Sequence, residues 1–549
     1  MNKTTLQKAI PVALLFVAIA ALYGQFLWNP IVFDDLYFFM VDNAGEQPVS
    51  SYHFAWLQLR SLPYATLAWT KAWFGLDLIN FRIGNLILHA AVCCALYGFL
   101  KSLFSALMPG AGSDIKEGVE SNQLTPNKLA LIAALLFAVH PVATYAAGYL
   151  VQRTILFATL FSLLALWAWV RGSAQQNSQW VWLSVPLYYL AVFSKEHAVM
   201  LIAVLPPLTI LMRPDWRPQL RQQLGVFAAL AAIAGFAVLS HKGILGSVYE
   251  INGGEMLAQT DAKLSYPLSV LTQMGLFFKY LMLWLLPNPA WMSIDMREPF
   301  ASEIAPLHIL SALAYLAWGA SGFWLLLKRG NQDHGHLALL GFAMLFPWLL
   351  FMTEFSTVRI QESFVLYRSY LWAVGAFVAL PWAIQRLPLR AVIAMAVLGV
   401  VVLFPLSMER LATLSHPVLL WEDAKKLLAG RNDLPGASRI YYNLGTEYIK
   451  IDRPDKAIPE LKLAAELSPN FAEAFGNLGA AYFKQANWNA AVASFSQAIA
   501  VDVQKGKPAG VRNLLGRAQA YENAGDIPKS QADFQESCRL AQRGCDKIR

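Results

Sequence analysis

Residues 10–37, IPVALLFVAIAALYGQFLWNPIVFDDLY, join an apolar run long enough to cross a bilayer to two adjacent acids, Asp34 and Asp35. A carboxylate emerging directly from such a run is costly unless it faces water, a cation or a reacting group. The stretch therefore reads as a membrane helix that delivers two acids to one face of the bilayer. A plainer reading, an N-terminal cap for a surface helix, uses the same residues. Lys3 and Lys8 precede the run, and Ala18-Ile19-Ala20 has the small residues of a signal-peptidase site. The run continues through Leu22, Phe26 and Trp28, which favours an uncleaved first helix.

The rest of the chain has the same character. Of 549 residues, 57% are hydrophobic and only 14% charged, and the mean hydropathy is +0.43, the composition of an integral membrane protein rather than a set of soluble domains. The apolar residues are concentrated before about residue 407, so we expect an all-α chain of two parts, a membrane domain over 1–410 and a polar, Ala-rich, periodic domain over 417–549. The net charge of +8 sits mainly in short loops between apolar runs, as the positive-inside rule places it. With no basic patch interleaved with aromatics, nucleic acid is excluded as a partner. Cys93 and Cys94 fall inside an apolar run, and Cys538 and Cys545 lack the His or Cys partners of a zinc site.

Hydropathy marks runs at 9–28, 83–107, 129–149, 154–171, 180–193, 198–212, 223–240, 268–287, 306–327, 337–352, 366–384 and 391–407. Lys3, Lys8, Lys101, Lys116, Lys128, Arg171, Arg213, Arg217, Arg221, Lys328, Arg329, Arg386 and Arg390 mark the cytoplasmic loops. This places 29–80, the 150 region, 194–197, 288–305 and 353–365 on the opposite face. An even number of crossings is then needed between 241 and 288. The run 268–287, with Gln273 and Lys279, is expected to be re-entrant or interfacial, which leaves about 11 spans, an N terminus inside and a C terminus outside.

From Ser438 the chain repeats itself. Leu444-Gly445, Tyr448, Ala457, Leu461 and Ala464 are matched 34 residues later by Leu478-Gly479, Tyr482, Ala491, Phe495 and Ala498. This is the tetratricopeptide pattern, in which small residues let two helices approach and large ones fill the groove. Tyr521 and Phe534 follow Tyr482 and Phe495 by 39 residues, so a third copy carries a five-residue insertion near Lys505 to Ala509. Repeats are expected at about 438–471, 472–505 and 510–543, with Trp421 to Leu428 capping the array. Outside the cytoplasm Cys538 and Cys545 can pair or stay as free thiols; the sequence leaves both open.

Most charges without an evident structural use recur on the outside face: Asp34, Asp35, Arg60, His140, Gln152, Arg153, Lys195, Glu196, His197, Asp295, Glu362, Tyr367 and Arg368. His89 lies mid-run and reads as a hydrogen-bonded core residue. Each of the others has a plain alternative: a helix kink at His140-Pro141, headgroup anchors at Arg153 and Arg368, an ion pair at Lys195-Glu196.

The order Phe33-Asp34-Asp35, Arg60-x-x-Pro63 with Phe81, Asn85 and Leu88-His89, Leu136 to Pro141, Val151-Gln152-Arg153, Ser194-Lys195-Glu196, Pro287 to Asp295 and Leu366 to Leu371 resembles GT-C glycosyltransferases bearing tetratricopeptide repeats. These are the animal transmembrane-and-tetratricopeptide O-mannosyltransferases and their bacterial relatives. Where the animal proteins follow His-Pro with an acid, this chain has Tyr145, and Gln152-Arg153 looks more like the bacterial branch. The resemblance implies transfer of a sugar, with inversion, from a polyprenyl-phosphate carrier to a protein or peptide acceptor at the outer face of a bacterial inner membrane. The repeats would then be periplasmic and would hold the acceptor.

That chemistry needs one carboxylate as general base, supplied by Asp34 or Asp35. Asp35 is favoured because it stands further beyond the helix end. The leaving phosphate needs fixed cations, in the order Arg153, Lys195, Arg60 and Arg368. His140, Gln152, Glu196, Asp295, Glu362 and Tyr367 would support them. A divalent metal at Asp34 and Asp35 is left open, with no complete ligand set visible; no other cofactor is called for. No Gly-rich nucleotide cradle is present in the sequence. The competing function is an inactive membrane-anchored tetratricopeptide scaffold for envelope-protein assembly.

Overall fold

A computed structural model describes residues 3–40, 47–108, 124–240, 264–328, 335–360 and 362–548. The loop cations Lys116 and Arg329 and most of the 241–267 interval lie outside these residues. Every regular element among the described residues is a helix. The chain divides into two compact units, Met1–Ile294 with Phe300–His416, and Asp295–Pro299 with Pro417–Arg549.

In the first unit, seven described helices are long and apolar enough to cross a membrane: Ala9–Phe26, Leu78–Leu107, Leu150–Gln175, Ser265–Leu285, Pro306–Leu327, Gly335–Ser356 and Leu389–Thr413. Two bent pairs raise the number to nine if each is one span. They are Pro126–Ala138 with Pro141–Ala147, bent by 55°, and Trp216–Gln222 with Leu224–Leu239, bent by 62°. The protein is thus a multi-pass membrane protein. Leu150–Gln175 is the most enclosed span, 67% buried, and packs between Leu78–Leu107 and Ser178–Ser194.

Two segments differ from the hydropathy reading. The run 268–287, expected to be re-entrant or interfacial, is an unbroken 21-residue helix, Ser265–Leu285, of span length and without the break of a re-entrant loop. The polar residues that suggested otherwise have another use. Ser269, Gln273, Tyr280 and Trp284, spaced to share a helix face, hold the 359–369 segment through Arg359 N–H to Ser269 Oγ (3.0 Å), Gln273 Nε2 to Ser363 O (2.8 Å), Val365 N–H to Tyr280 Oη (2.7 Å) and Trp284 Nε1 to Ser369 Oγ (2.9 Å). The irregular stretch is 366–384 instead, divided into Ser369–Trp372, Val374–Val378 and Leu380–Ile384, the last opened by Pro381, which has no N–H to continue the preceding turn.

In the second unit, Pro417–Leu428 precedes three helix pairs: Ala437–Lys450 with Pro454–Leu467, Ala472–Lys484 with Trp488–Gln504, and Val511–Asn523 with Ile527–Ala541. A Cβ on Gly445 would come within 2.6 Å of Leu461, and one on Gly479 within 2.8 Å of Phe495. The repeated glycines are therefore the points of closest helix approach. The left-handed turn between paired helices recurs at Asp452, Ala486 and Gly525, keeping the 34- then 39-residue steps of the tyrosines. Cys538 and Cys545 form a disulfide across the end of the last helix.

Candidate functional site

The acids after the first span are set by two backbone devices. Phe33 adopts a left-handed φ of 54°, which costs a non-glycine residue roughly 1–2 kcal/mol. It turns the chain immediately before Asp34. Arg82, buried in Leu78–Leu107, donates to Asn29 O (3.0 and 2.8 Å), Pro30 O (2.6 Å) and Gly148 O (2.9 Å). One guanidinium thereby ties the segment after the first span to the turn preceding Leu150.

The two acids end in opposite environments. Asp35 is fully buried, and its carboxylate accepts the N–H groups of Leu150 (3.2 Å) and Val151 (2.8 Å). Burial pushes its carboxyl up to about 7, against the opposing pull of those two N–H groups and of Arg82. Asp34 is exposed, and its N–H donates to the Tyr149 hydroxyl (2.7 Å). The expectation that Asp35 stands further out than Asp34 is therefore not met: adjacent residues on a turn point apart, and here the second points inward. Beneath Asp34 lies an apolar floor of Phe38, Phe39, Phe81, Tyr149, Leu150 and Val151.

Tyr149 leads to the cations. Its ring lies 6.4 Å from that of Tyr367, and Lys195 Nζ sits 4.5 Å over the Tyr367 ring. Lys195 occupies an extended break between Ser178–Ser194 and the turn Glu196–Ala198. Its ammonium donates to neutral oxygens, Gln152 Oε1 (2.9 Å) and Thr154 Oγ1 (3.4 Å). Burial first, and Arg60 second, bring its pKa down to about 7.

A chain of ion pairs continues from there. Arg60, held in a left-handed conformation with its N–H on Phe193 O (2.7 Å), pairs with Glu196, Nε to Oε2 being 3.1 Å. Glu196 lies 4.0 Å from His197, which is 3.2 Å from Glu354. Glu354, fully buried, stands 3.0 Å from Arg359 and 3.1 Å from Arg368. The His197 and Arg359 contacts to Glu354 have ion-pair distances without hydrogen-bond alignment, whereas Arg368 makes a hydrogen bond to it. Arg368 also donates to Glu362 O (3.1 Å) and lies 3.7 Å from its carboxylate. Asp34, Gln152, Lys195, Arg60, Glu196, Tyr367, Arg368 and Glu362 are thus gathered by direct contacts, all from helix ends or breaks.

Three expected residues are not part of this chain. Arg153, first among the phosphate-binding candidates, is buried with its donors engaged by Asn85 Oδ1 (2.8 Å), Phe81 O (2.8 Å), Thr66 and Thr70 (3.3 Å each), so it is a strut between helices. His140 caps the turn after Pro126–Ala138 by accepting the Val142 N–H (3.2 Å) and stacks on Trp284, with centroids 4.3 Å apart; it marks the helix break. Asp295 belongs to the second unit, where it pairs with Arg297 (2.6 Å) and Arg439 (3.8 Å). The strut is testable. A Cβ on Gly84 would fall 2.7 Å from Arg153 Nη2, so Gly84→Ala is expected to destabilise the protein by about 1–3 kcal/mol in thermal unfolding. Gly235→Ala, with nothing within 4 Å, is expected to be neutral or stabilising.

Among the described residues, the acids do not assemble a divalent-cation site around Asp34 and Asp35. Both Asp35 oxygens are committed to backbone N–H groups, and among the described residues no three His, Cys, Asp or Glu side chains gather to hold one. Sequence reasoning missed Glu354, Arg359, Arg82 and Tyr149. Glu354 carried a usable signal, an acid directly after an apolar run, the same cue that singled out Asp34.

Residues 438–471 match the tetratricopeptide repeat family model. The chain is 28% identical over 184 residues to protein O-mannosyl-transferase tmtc2 of Xenopus laevis, 32% of this chain and 18% of the relative. It is 28% identical over 138 residues to protein O-mannosyl-transferase TMTC4 of Homo sapiens, 24% of this chain and 18% of the relative. It is 25% identical over 252 residues to its Mus musculus counterpart, 40% and 32%. The matched stretches span less than a third of these relatives' own lengths. In sequence the chain is thus similar to relatives named protein O-mannosyl-transferases, and it carries a tetratricopeptide repeat of its own.

Proposed function

We propose that this protein is an inverting glycosyltransferase that moves a sugar from a polyprenyl-phosphate carrier to a hydroxyl of a protein or peptide. The observation that carries the proposal is the pairing of an exposed carboxylate, Asp34, with a buried lysine whose ammonium rests on neutral oxygens, linked through Tyr149 and Tyr367. Because its two hydrogen-bond acceptors are neutral, the charge that Lys195 carries below its pKa is left for an incoming phosphate to neutralise.

In the proposed step Asp34 accepts the acceptor hydroxyl proton, the hydroxyl oxygen bonds to the anomeric carbon from the face opposite the phosphate, and the carbon–oxygen bond to the phosphate breaks. The electron pair leaves on the phosphate, where Lys195, with Arg60 and Arg368, stabilises it in a partly dry site. Glu196 and Glu354 hold those arginines in place. The similarity to relatives named protein O-mannosyl-transferases supports a protein acceptor, and the repeats are assigned to bind it. The Cys538–Cys545 disulfide supports a periplasmic second unit on a bacterial inner membrane, an oxidising setting.

Mass spectrometry of envelope proteins from cells with and without this protein tests the proposal. Glycopeptides that vanish on deletion and return with the intact chain are expected; an unchanged glycopeptide set contradicts it. The lysine gives a pH signature. With its pKa at about 7, Lys195 loses its charge as pH rises, and the KM for the lipid-linked donor is expected to climb by up to about tenfold per pH unit above that point. Lys195→Arg, charged throughout, is expected to flatten the profile.

A further inference from the structure

Ser178–Ser194 has Lys195 at one end and, at the other, a polar cavity of about 290 Å³ that none of the proposed chemistry uses. Gly172, Gln176, Ser178, Trp182, Arg213, Asp215 and Gln223 contribute to its walls. Its volume is close to the lower bound of small-molecule sites, about 300 Å³.

Gln223 is only 5% exposed, and neither its amide oxygen nor its nitrogen has a hydrogen-bond partner. A buried amide in that state is destabilising until a ligand satisfies it. Beside it, Arg213 Nε and Nη2 meet the two oxygens of Asp215 at 2.9 Å each. With its amide oxygen and nitrogen exchanged, the orientation the guanidinium requires, Gln176 accepts from Arg213 Nη2 at 2.7 Å. The carboxylate retains lone pairs, and the Gln223 amide offers one acceptor and two donors. A cation, an anion and an unsatisfied amide on one wall complement a ligand that carries both a phosphate and a primary ammonium.

The surroundings identify the source of such a ligand. Arg171 lies between the rings of Trp167 and Trp180 (4.9 and 5.1 Å), and Arg217 lies over Trp216 (5.1 Å). Arginine and tryptophan together mark the headgroup level of a bilayer. Trp216–Gln222 is a short helix bent by 62° from the apolar Leu224–Leu239, the disposition of an interfacial segment leading into a span. Directly beside the cavity, Trp182, Leu183 and Leu224 are exposed apolar surface on which acyl chains can lie.

We infer that this cavity binds the headgroup of a zwitterionic phospholipid with a primary ammonium, phosphatidylethanolamine in chemical class. The phosphate takes Arg213 and Gln223 Nε2, and the ammonium takes Asp215 and Gln223 Oε1. A choline headgroup has no N–H to donate, and a glycerol headgroup has no cation for Asp215. The inference is independent of the glycosyl-transfer reading.

The test uses the full-length protein, equilibrated with equal amounts of phosphatidylethanolamine, phosphatidylcholine and phosphatidylglycerol in mixed micelles and read by native mass spectrometry. Wild-type protein is expected to retain the ethanolamine lipid about tenfold over the others, the scale of one charge-assisted hydrogen bond. Gln223→Leu and Asp215→Asn are each expected to abolish the preference. Asp215 is half-exposed at the surface, so its variant keeps the test valid if the Gln223 variant does not fold. Equal retention of the three lipids, or a preference that survives Asp215→Asn, overturns the inference. Displacement of the lipid by equimolar glycerophosphoethanolamine, which lacks acyl chains, overturns the lipid assignment.

Discussion

Asp34→Asn is expected to lower sugar transfer by about 10²- to 10⁴-fold, the contribution of a positioned general base, while leaving insertion and thermal stability close to wild type. The stability expectation follows from exposure and from what asparagine retains: the Asp34 side chain emerges from the turn, the backbone N–H bond to Tyr149 does not depend on the carboxylate, and the asparagine amide oxygen can still accept the Tyr149 hydroxyl in its place. Asp35→Asn is expected to do the opposite. An asparagine there turns an N–H₂ toward the backbone N–H of Leu150 or Val151, leaving a buried donor unsatisfied, so the loss falls on stability, by about 1–3 kcal/mol. The pH dependence of stability separates the two acids further. The folded Asp35 carboxyl titrates at about 7, above its ordinary 3.8, so the folded protein holds this proton more tightly than the unfolded chain. Its contribution to stability is complete below pH 3.8 and is lost as pH rises from there through 7. Thermal unfolding followed between pH 5 and 8 is expected to show that slope in wild type and in Asp34→Asn, and to lack it in Asp35→Asn.

Glu354→Gln is expected to be the most destabilising single change at the site, by about 3–5 kcal/mol. This carboxylate is fully buried and lies within 3.2 Å of His197, Arg359 and Arg368, so removing its charge leaves two guanidinium groups facing each other in a region that water does not reach. Replacing one partner of a buried pair is severe because the other keeps its desolvation penalty. The corresponding change at Glu362, whose side chain is 31% exposed, is expected to cost no more than about 1 kcal/mol. Yield and unfolding temperature of the two variants, measured side by side in the same detergent, check the contrast. Comparable losses would mean that Glu354 does not organise the arginines.

The parts of this protein readable from its sequence are those written in periodicity. Apolar runs mark the helices of the first unit, and the 34-residue step marks the repeats down to the glycines at 445 and 479 where helices touch. What escaped was decided by direction. Hydropathy counts Gln273 as a polar intrusion, but in the helix it shares a face with Ser269, Tyr280 and Trp284 and serves the loop bearing Arg368. Adjacent acids look alike in a sequence. The left-handed turn at Phe33 and the grip of Arg82 on Asn29 and Pro30 expose one and bury the other, and both devices act through backbone groups that carry no residue signature. Arg153 stood beside Gln152 in a motif and inherited its prominence; the oxygens that consume its donors come from residues 66, 70, 81 and 85. Glu354 was legible by the same rule that picked out Asp34.

The central claim, transfer from a polyprenyl-phosphate carrier with Asp34 as base, is tested most directly with the purified full-length protein in lipid vesicles. The vesicles would hold a defined polyprenyl-phosphate sugar, a peptide library would serve as acceptor, and the anomeric configuration of the product would be read by NMR. The account predicts a glycopeptide with the anomer inverted from the donor, formed by wild-type protein and not by Asp34→Asn. Retention of configuration, or equal product from both proteins, would contradict it.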